Sequence, residues 1–386
     1  MRMPALLLLL AIGCDATDES NPPPDVSLPD MTWVGSDGDM PTTMKSPTVL
    51  RVHYPAGSHS ISVRGSSSPL NWNSGQKMVG GSSDVWIWSS ESVQSELEWK
   101  PLLDDATWSR GPNYTIQPGT ALDIYPHFTT TAGKVVVLIQ QFHSKNLSQD
   151  RTVWVYLPAS YEENTKARFP VVYMHDGQNL FDPNLSFAGE WMVDETMNAA
   201  AENGSFREAI VIGIGNTSAR VYEYTPTKGG NNYNGGGGDK YLALLVDELK
   251  PQVDAMLRTL PDRENTAILG SSLGGLISAH AGVKKPETFG LVGAMSPSTW
   301  WDNLMIVNEV DSSPKLRPSR VYVDSGDSGD SKDDVGDTNL LANTYLSLGY
   351  VEGKTFHHVV QKGGQHNEYY WAQRLPGALS FLLGPR

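Results

Sequence analysis

One short stretch of the sequence carries the pattern that a nucleophilic serine needs. Residues 270–275 read Gly-Ser-Ser-Leu-Gly-Gly, after an apolar run at 266–269 and before a helical pattern of small residues. Strand, G-x-S-x-G and helix in this order predict a nucleophile elbow, and the tightness of that turn explains its glycines. We therefore expect Ser272 to be the nucleophile. The N–H of Leu273, at the start of the helix, should face a developing oxyanion.

A histidine suited to general-base chemistry follows the serine in the chain. His366 lies in the glycine-led sequence Gly-Gly-Gln-His-Asn-Glu at 363–368, directly after a strand pattern. The order serine, acid, histidine is the order of the α/β-hydrolase triad. His175 is the alternative among the nine histidines. It precedes the serine, however, in a position that suits an oxyanion loop.

The acid that orients the histidine should come from the loop at 324–334, which is rich in aspartate and follows another strand pattern. Such an acid holds the imidazole tautomer and stabilises the imidazolium. Asp330 is our first choice, with Asp327 and Asp333 as alternatives. The spacing of this loop does not fit an EF-hand. No metal and no organic cofactor is therefore predicted.

A second oxyanion donor is expected after the apolar strand pattern at 171–174. The sequence His-Asp-Gly-Gln-Asn follows at 175–179. Gly177 would let the backbone turn, so that the N–H of Gln178 faces the reacting carbonyl.

The elements that must position these groups alternate between strands and helices. Apolar strand patterns at 171–174, 209–214, 266–269, 320–323 and 355–360 are separated by helical patterns, the clearest of them at 241–260. Two earlier strands, at 135–139 and 151–157, are predicted to be antiparallel at the sheet edge. Continuous apolar strands of this kind indicate an α/β, doubly wound, mostly parallel sheet covered on both faces. Its site should lie at the carboxyl ends of the strands.

The N-terminus has the pattern of an exported protein. Residues 1–14 combine an early arginine, a short leucine-rich run and Gly13-Cys14, which resembles a bacterial lipoprotein signal. The resemblance implies cleavage before Cys14 and lipidation of its thiol, so we expect export with a lipid anchor, or secretion. Ala11 departs from the leucine usual at that position. Residues 15–44 are polar and rich in Pro and Asp, as in a disordered tether.

Residues 45–131 have the pattern of a small all-β sandwich, with short alternating segments between turns. The stretch 64–72 resembles starch-binding-like modules found beside enzymes that act on glycans. Five tryptophans in this part allow two interpretations, stacking on sugars or filling the sandwich core. The alternation of Trp86 and Trp88 favours the core for these two rings. The remaining residues, 132–386, form the predicted catalytic domain.

Charge and composition exclude some partners. The net charge of the 386-residue chain is -14, which argues against nucleic acid or an anionic membrane surface. Contact with a membrane is expected only through the anchor at Cys14. Because Cys14 is the single cysteine, the chain has no intrachain disulfide.

From about residue 151 to the C-terminus, the sequence resembles the "Putative esterase" family of α/β-hydrolases. This family includes feruloyl and acetyl esterases, S-formylglutathione hydrolases and enterobactin-type siderophore esterases. The resemblance implies Ser272 as nucleophile, His366 as base, and Gln178 and Leu273 as oxyanion donors. The acid does not carry over cleanly, because Gly329 stands at the nearest matching position. The matching stretches are 173–182, 213–217, 220–226, 270–275, 296–301 and 366–368.

The family-like stretches also suggest residues around the substrate. The expected contacts are Glu190, Trp191, Asn216, Arg220, Glu223, Tyr224, Trp300 and Trp371. The function expected is a serine esterase that forms an acyl-enzyme on a small-molecule or polysaccharide-linked ester, with acylated glycans favoured. The alternatives are a siderophore esterase, an acyltransferase with the same triad, and a non-catalytic glycan-binding surface protein.

Overall fold

The computed structural model describes residues 46–80, 83–186, 188–230, 233–313 and 315–385. The predicted signal segment 1–14 with Cys14, and the predicted tether 15–44, lie outside these residues. The described part of the chain belongs to one compact unit. Within it, no helix has both the length and the apolar character needed to cross a bilayer.

The first strands form two small sheets, as the sequence predicts for a sandwich. One sheet has the order β4-β5-β1-β9, and the other has the order β3-β2-β6-β7 with β8 also paired to β6. The strands are β1 (Thr48–His53), β2 (Ile61–Gly65), β3 (Gln76–Lys77), β4 (Val79–Gly80), β5 (Val85–Ser90), β6 (Leu97–Leu103), β7 (Thr107–Trp108), β8 (Tyr114–Ile116) and β9 (Ala121–Ile124).

The sandwich tryptophans divide into rings in the core and rings nearer the surface. Trp88 and Trp99 are buried in the apolar core between the sheets, and Trp86 packs against that core. Trp108 is 39% exposed, and its ring centroid lies 6.0 Å from that of Trp72. The core interpretation therefore holds for three rings, while Trp72 and Trp108 form a pair nearer the surface.

The second part of the chain is built on an eight-stranded sheet with the order β10-β11-β13-β12-β14-β15-β16-β17. As predicted, the first two strands are antiparallel at one edge, and the other six are parallel. The strands are β10 (Lys134–Phe142), β11 (Arg151–Leu157), β12 (Val171–Met174), β13 (Ile210–Ile214), β14 (Thr266–Ser272), β15 (Leu291–Pro297), β16 (Arg320–Gly326) and β17 (Phe356–Gln361).

Helices cover both faces of this sheet, which confirms the predicted fold class. One apolar core contains residues of α4 to α8, and a second core on the other face contains residues of α2 and α9. The helices are α1 (Ser160–Glu163), α2 (Val193–Asn203), α3 (Arg220–Glu223), α4 (Gly238–Ala243), α5 (Lys250–Met256), α6 (Leu273–Lys284), α7 (Trp301–Asp311), α8 (Val335–Ser347) and α9 (Glu368–Leu383). A π-helical segment, Leu244–Leu249, joins α4 to α5.

A carboxylate in α1 ties the sandwich to the part of the chain that is built on the eight-stranded sheet. Glu163 accepts hydrogen bonds from the backbone N–H of Phe128 (2.6 Å) and Thr130 (2.8 Å), and from the hydroxyl of Tyr54 (2.9 Å). Burial raises the pKa of Glu163, but these and neighbouring hydrogen bonds outweigh burial and lower it to about 2. Glu163 is therefore an ionised latch between the two parts.

Candidate active site

The nucleophile elbow forms where β14 passes into α6. Ser272 has φ 58° and ψ -125°, a backbone conformation that costs energy for any residue with a side chain. Leu273 is the first residue of α6, so its N–H is one of those that lack an acceptor within the helix. A Cβ on Gly270 would lie 2.6 Å from Cδ2 of His175 and 2.9 Å from the backbone of Gly274. The glycine at 270 is therefore needed for close packing.

The acid that contacts His366 is Asp333. Its Oδ1 lies 2.6 Å from His366 Nδ1, and its side chain is fully buried. Our first choice, Asp330, is wrong on this point, because it is exposed at the start of the 3₁₀ segment Asp330–Asp334. Residues 331–334 all have positive φ, and this left-handed turn carries Asp333 inward. Asp327 instead accepts a hydrogen bond from the N–H of Gly363 (2.6 Å).

The surroundings of Asp333 favour its charged form. Its Oδ2 accepts hydrogen bonds from the N–H of Gly326 and from the hydroxyl of Ser296. Burial raises the pKa of Asp333, but the hydrogen bonds from His366, Gly326 and Ser296 outweigh it and hold that pKa below its usual value. An ionised carboxylate therefore faces Nδ1 of His366, which leaves Nε2 as the nitrogen free to act as a base.

Ser272 and His366 line the same cavity, which has a volume of about 430 Å³. The hydroxyl oxygen of Ser272 lies 3.4 Å from that of Ser298, which lines the cavity too. Trp300 is 38% exposed and forms part of the wall, and its contact with a substrate stays a prediction. The ring of Tyr233 lies 5.9 Å from that of Trp300, so a second aromatic side chain packs beside this part of the wall.

The predicted oxyanion loop lies at the end of β12. Asp176 has φ 54°, and a 3₁₀ turn, Gly177–Asn179, follows it. A Cβ on Gly177 would lie 2.6 Å from the carbonyl carbon of Gly213, so this loop packs directly on β13. Gln178 donates from its side chain to Oδ1 of Asn216 (2.6 Å). The side chain of Gln178 is thus held in place, and its backbone N–H remains the candidate donor.

Asn216 and Arg220 hold the oxyanion loop, and neither lines the cavity. Arg220 contacts both carboxylate oxygens of Asp176, with Nε at 2.7 Å and Nη2 at 2.8 Å. Asn216 donates a further hydrogen bond to Asp176 and also holds Gln178. The predicted role as substrate contacts is therefore corrected to a positioning role, since both side chains are engaged with the loop.

Four further residues predicted near the substrate lie elsewhere. Trp191 is buried, with its ring 5.7 Å from that of Trp371. Glu223 and Tyr224 are also buried, and Glu223 pairs with Arg151 at 2.9 Å. None of these three residues offers a surface to a substrate.

The fourth, Glu190, lies in a group of acidic residues at the start of α2. The carboxylate oxygens of Glu190, Asp194 and Glu195 lie within 4.8 Å of one another. Burial, and then the charges of Glu195 and Asp194, raise the pKa of Glu190. Such a group has the donor atoms for a cation, but acidic groups of this kind are common without one, and we assign no metal to it.

His175, the alternative base, is fully buried beneath the elbow. Its Nδ1 lies 2.9 Å from the hydroxyl of Tyr241 and its Nε2 lies 3.1 Å from that of Ser278. Burial lowers the pKa of His175 to about 3, so it stays neutral. Neither nitrogen is available to a substrate, so His366 remains the candidate base.

Sequence reasoning missed two buried residues behind His366. Ser296 lies near the end of β15 and Arg374 lies in α9, and their side chains meet next to Asp333. The family-like stretch 296–301 was a signal for Ser296. No motif marked Arg374, because it is brought to the site only by the packing of α9 on the sheet.

The fold and the elbow define the class as a serine hydrolase of the α/β-hydrolase superfamily. Residues 144–382 match the family model described as "Putative esterase". The chain belongs to that family, whose members are carboxylic ester hydrolases of the serine type.

Comparison with individual proteins gives the same class. The chain is 27% identical over 252 residues to an uncharacterised protein, YbbA, of Bacillus subtilis, covering 62% of this chain and 96% of the relative. It is 24% identical over 233 residues to an iron(III) enterobactin esterase of Dickeya dadantii, covering 59% of this chain and 48% of the relative. It is 28% identical over 172 residues to an endo-1,4-beta-xylanase/feruloyl esterase of Xylanibacter ruminicola, covering 42% of this chain and 22% of the relative.

The chain thus spans about half or less of the length of those two named esterases. Among solved structures, a ferric enterobactin esterase from Salmonella typhimurium aligns with a TM-score of 0.51 at 18% identity. That alignment covers 84% of this chain and 88% of the other. At this identity the likeness concerns the fold, and it extends beyond the residues that the family model matches.

Proposed function

We propose that this protein hydrolyses carboxylic esters through Ser272, His366 and Asp333. The observation that carries the proposal is the contact of 2.6 Å between His366 Nδ1 and the buried Asp333, in a cavity that also contains the elbow serine. This arrangement fits the roles of nucleophile, base and orienting acid.

The reaction follows from these positions. His366 Nε2 takes the proton of Ser272, and the alkoxide attacks the ester carbonyl while the N–H groups of Leu273 and Gln178 stabilise the oxyanion. The C–O bond to the alcohol then breaks, and His366 returns the proton to the leaving alkoxide. In the second half, His366 takes a proton from water and the hydroxide attacks the acyl carbonyl. The C–O bond to Ser272 then breaks, and His366 returns the proton to the serine oxygen. Asp333 stays ionised throughout and stabilises the imidazolium.

We propose an uncharged ester, such as an acylated glycan, as the substrate. Apart from His366, the charged side chains that line the described part of the cavity are Asp330, Asp333 and Asp334. In a cleft, carboxylates lower the local concentration of anions. Trp300 adds an aromatic face to the cavity wall, on which a sugar ring or feruloyl group would stack, and Tyr233 packs beside it. The pair Trp72 and Trp108 in the sandwich offers a second aromatic surface for a sugar chain.

A siderophore ester is the second candidate, because one relative is named an iron(III) enterobactin esterase. An iron(III) catecholate complex is an anion, so Asp330, Asp333 and Asp334, which form the acidic wall of the cavity, disfavour its binding. Acyl transfer to an alcohol, a third possibility, would use the same groups with an alcohol in place of water. We compare kcat/KM for acetylated xylan, a feruloyl arabinoside and an iron-loaded catecholate ester, and expect the first two to exceed the third. In the variant D330N/D334N, the difference in kcat/KM between the uncharged esters and the iron-loaded ester should become smaller, because the repulsion of the anion is reduced. A higher kcat/KM of the wild type for the iron complex would support the second candidate.

We also propose export with a lipid anchor on Cys14, on the basis of the N-terminal pattern alone. Incorporation of labelled palmitate into the wild type, and its loss in Cys14→Ser, would support this proposal.

The test of the activity itself uses the full chain with p-nitrophenyl acetate. Turnover should fall by several orders of magnitude in Ser272→Ala, since the nucleophile is lost. A fluorophosphonate probe should label the wild type and not the variant. Equal turnover in both proteins and no labelling of Ser272 would favour the non-catalytic glycan-binding alternative.

A further inference from the structure

One hydroxyl lies at the centre of a buried polar cluster behind His366. Ser296 is 1% exposed, and its Oγ is within hydrogen-bond distance of three side chains. The partners are Asp333 Oδ2 at 2.7 Å, Trp371 Nε1 at 3.0 Å and Arg374 Nη2 at 2.6 Å. A serine hydroxyl has one proton to donate and two lone pairs to accept, so these three contacts use its full capacity.

The chemistry of the partners fixes the direction of each bond. The indole N–H of Trp371 and the guanidinium of Arg374 can only donate. Both lone pairs of Ser296 Oγ are therefore occupied, and its single proton must point to Asp333. The hydroxyl therefore accepts from Trp371 and Arg374 and donates to Asp333, whose carboxylate faces His366.

Ser296 itself is held in place from two sides. Its backbone N–H donates to Oδ1 of Asp324 (3.0 Å). Arg374 is anchored by Oε1 of Gln361 at 2.9 Å and by Oδ2 of Asp324, which forms an ion pair at 3.0 Å that is not aligned as a hydrogen bond. Because Arg374 is fixed at these nitrogens, its Nη2 stays 3.8 Å from Asp333 Oδ2. The hydroxyl of Ser296 bridges that gap.

Two routes lead from Ser296 to the imidazole of His366. The first runs through Asp333 to Nδ1. The second runs through Trp371, whose ring lies 5.0 Å from that of His366 at an interplanar angle of 84°. One hydroxyl therefore fixes both the acid that orients the base and the ring that packs on it.

We propose that Ser296 is a positioning residue for the esterase reaction, and that its hydroxyl sets the orientation of Asp333 and Trp371 against His366. This inference rests on the function proposed above. It assigns Ser296 no contact with the substrate. Its loss should lower kcat and leave KM little changed.

The experiment uses two variants that lose the hydroxyl and differ in the backbone. Ser296 has φ 37°, which glycine adopts more readily than alanine. Ser296→Gly therefore keeps the fold even where Ser296→Ala is strained. The matched control is Ser325→Ala on β16, a buried serine whose hydroxyl has no hydrogen-bond partner among the described residues.

Two measurements separate positioning from stability. We expect kcat on p-nitrophenyl acetate to fall by about 10- to 100-fold in both Ser296 variants, the loss that a misplacement of about 1 Å can cause. The low-field proton NMR signal of His366 Nδ1–H, assigned by its loss in Asp333→Asn, should shift or broaden in both. The control should keep the wild-type kcat and the wild-type signal.

The outcomes are distinct. A folded Ser296→Gly protein with wild-type kcat and an unchanged Nδ1–H signal would overturn the positioning role, even if its melting temperature were lower. If the wild type shows no turnover, or turnover that Ser272→Ala does not reduce, the proposed function itself is refuted. The NMR comparison would then still report whether Ser296 orients the pair formed by His366 and Asp333.

Discussion

Arg220 holds both carboxylate oxygens of Asp176, at 2.7 and 2.8 Å, although 44 residues separate the two in the chain. Asp176 directly precedes the turn that presents the N–H of Gln178. A bidentate pair fixes the plane of a carboxylate, which a single point charge does not. We therefore expect the geometry of the proposed oxyanion donor to depend on the planar guanidinium of Arg220, which lies outside the cavity.

Replacing the guanidinium of Arg220 should therefore slow the reaction. Arg220→Lys keeps the charge but cannot contact both oxygens, and we expect kcat to fall about 10- to 100-fold because the donor loses its alignment. Steady-state kinetics on p-nitrophenyl acetate measure this effect. The control is Arg64→Lys in the sandwich, where the arginine contacts one carboxylate oxygen and the backbone carbonyl of Asp105. Equal kcat in the two variants would show that the Arg220 guanidinium does not align the N–H of Gln178.

The choice between the acids of the 324–334 loop is tested by two conservative substitutions. Asp333→Asn should lower kcat by roughly a thousandfold or more, because an amide cannot hold the imidazole in the required tautomer as a carboxylate does. Asp330→Asn should stay near the wild type on an uncharged ester, since Asp330 is exposed at the rim. A reversed order of the two effects would return Asp330 to the role of acid.

The elbow glycine is expected to be intolerant of a methyl group. Gly270→Ala would place a Cβ against His175 and the backbone of Gly274, which cannot move away, so we expect a loss of about 1–3 kcal/mol in the free energy of unfolding. Gly336→Ala is the control in α8, where a Cβ meets open space. We expect Gly336→Ala to raise the free energy of unfolding by roughly 0.5–1 kcal/mol. Chemical denaturation followed by circular dichroism measures both changes, and equal stability of the two variants would contradict the packing analysis.

The latch at Glu163 predicts a dependence of stability on pH. The pKa of Glu163 is lowered from 4.5 to about 2 in the folded protein. Its contribution to stability is therefore present above pH 4.5 and is lost as the pH falls towards 2, where the folded protein also binds the proton.

Glu163→Gln removes this contribution. We expect a lower melting temperature than the wild type at neutral pH, and a difference that shrinks between pH 4.5 and 2. Glu162→Gln is the control, because Glu162 is an exposed neighbour whose partner Lys134 is also at the surface. A gap between wild type and Glu163→Gln that is constant over this pH range would refute the ionised latch.

The sheet was predictable because its strands are nearly continuous apolar runs, and the elbow because its glycines and serine are adjacent in the chain. Both signals are local. The antiparallel edge followed from the same patterns, whereas the spatial order of the strands, with β13 between β11 and β12, was not predicted.

The acid and the residues around it depend on contacts between distant parts of the chain. Asp333 was separable from Asp330 only through the left-handed turn at 331–334, a backbone conformation that the sequence does not mark. Asn216 and Arg220 follow strand ends, as substrate contacts do, but their side chains turn to Asp176. Trp191 was misjudged because position alone does not tell a buried ring from an exposed one.

The acidic wall of the cavity has a consequence for the end of each turnover. On the proposed function, an uncharged ester enters and a carboxylate is produced beside Asp330 and Asp334. The wall is indifferent to the substrate and repels the product, so hydrolysis itself creates the force that empties the site. A free carboxylate that returns from solution meets the same repulsion, so inhibition by the product is expected to be weak.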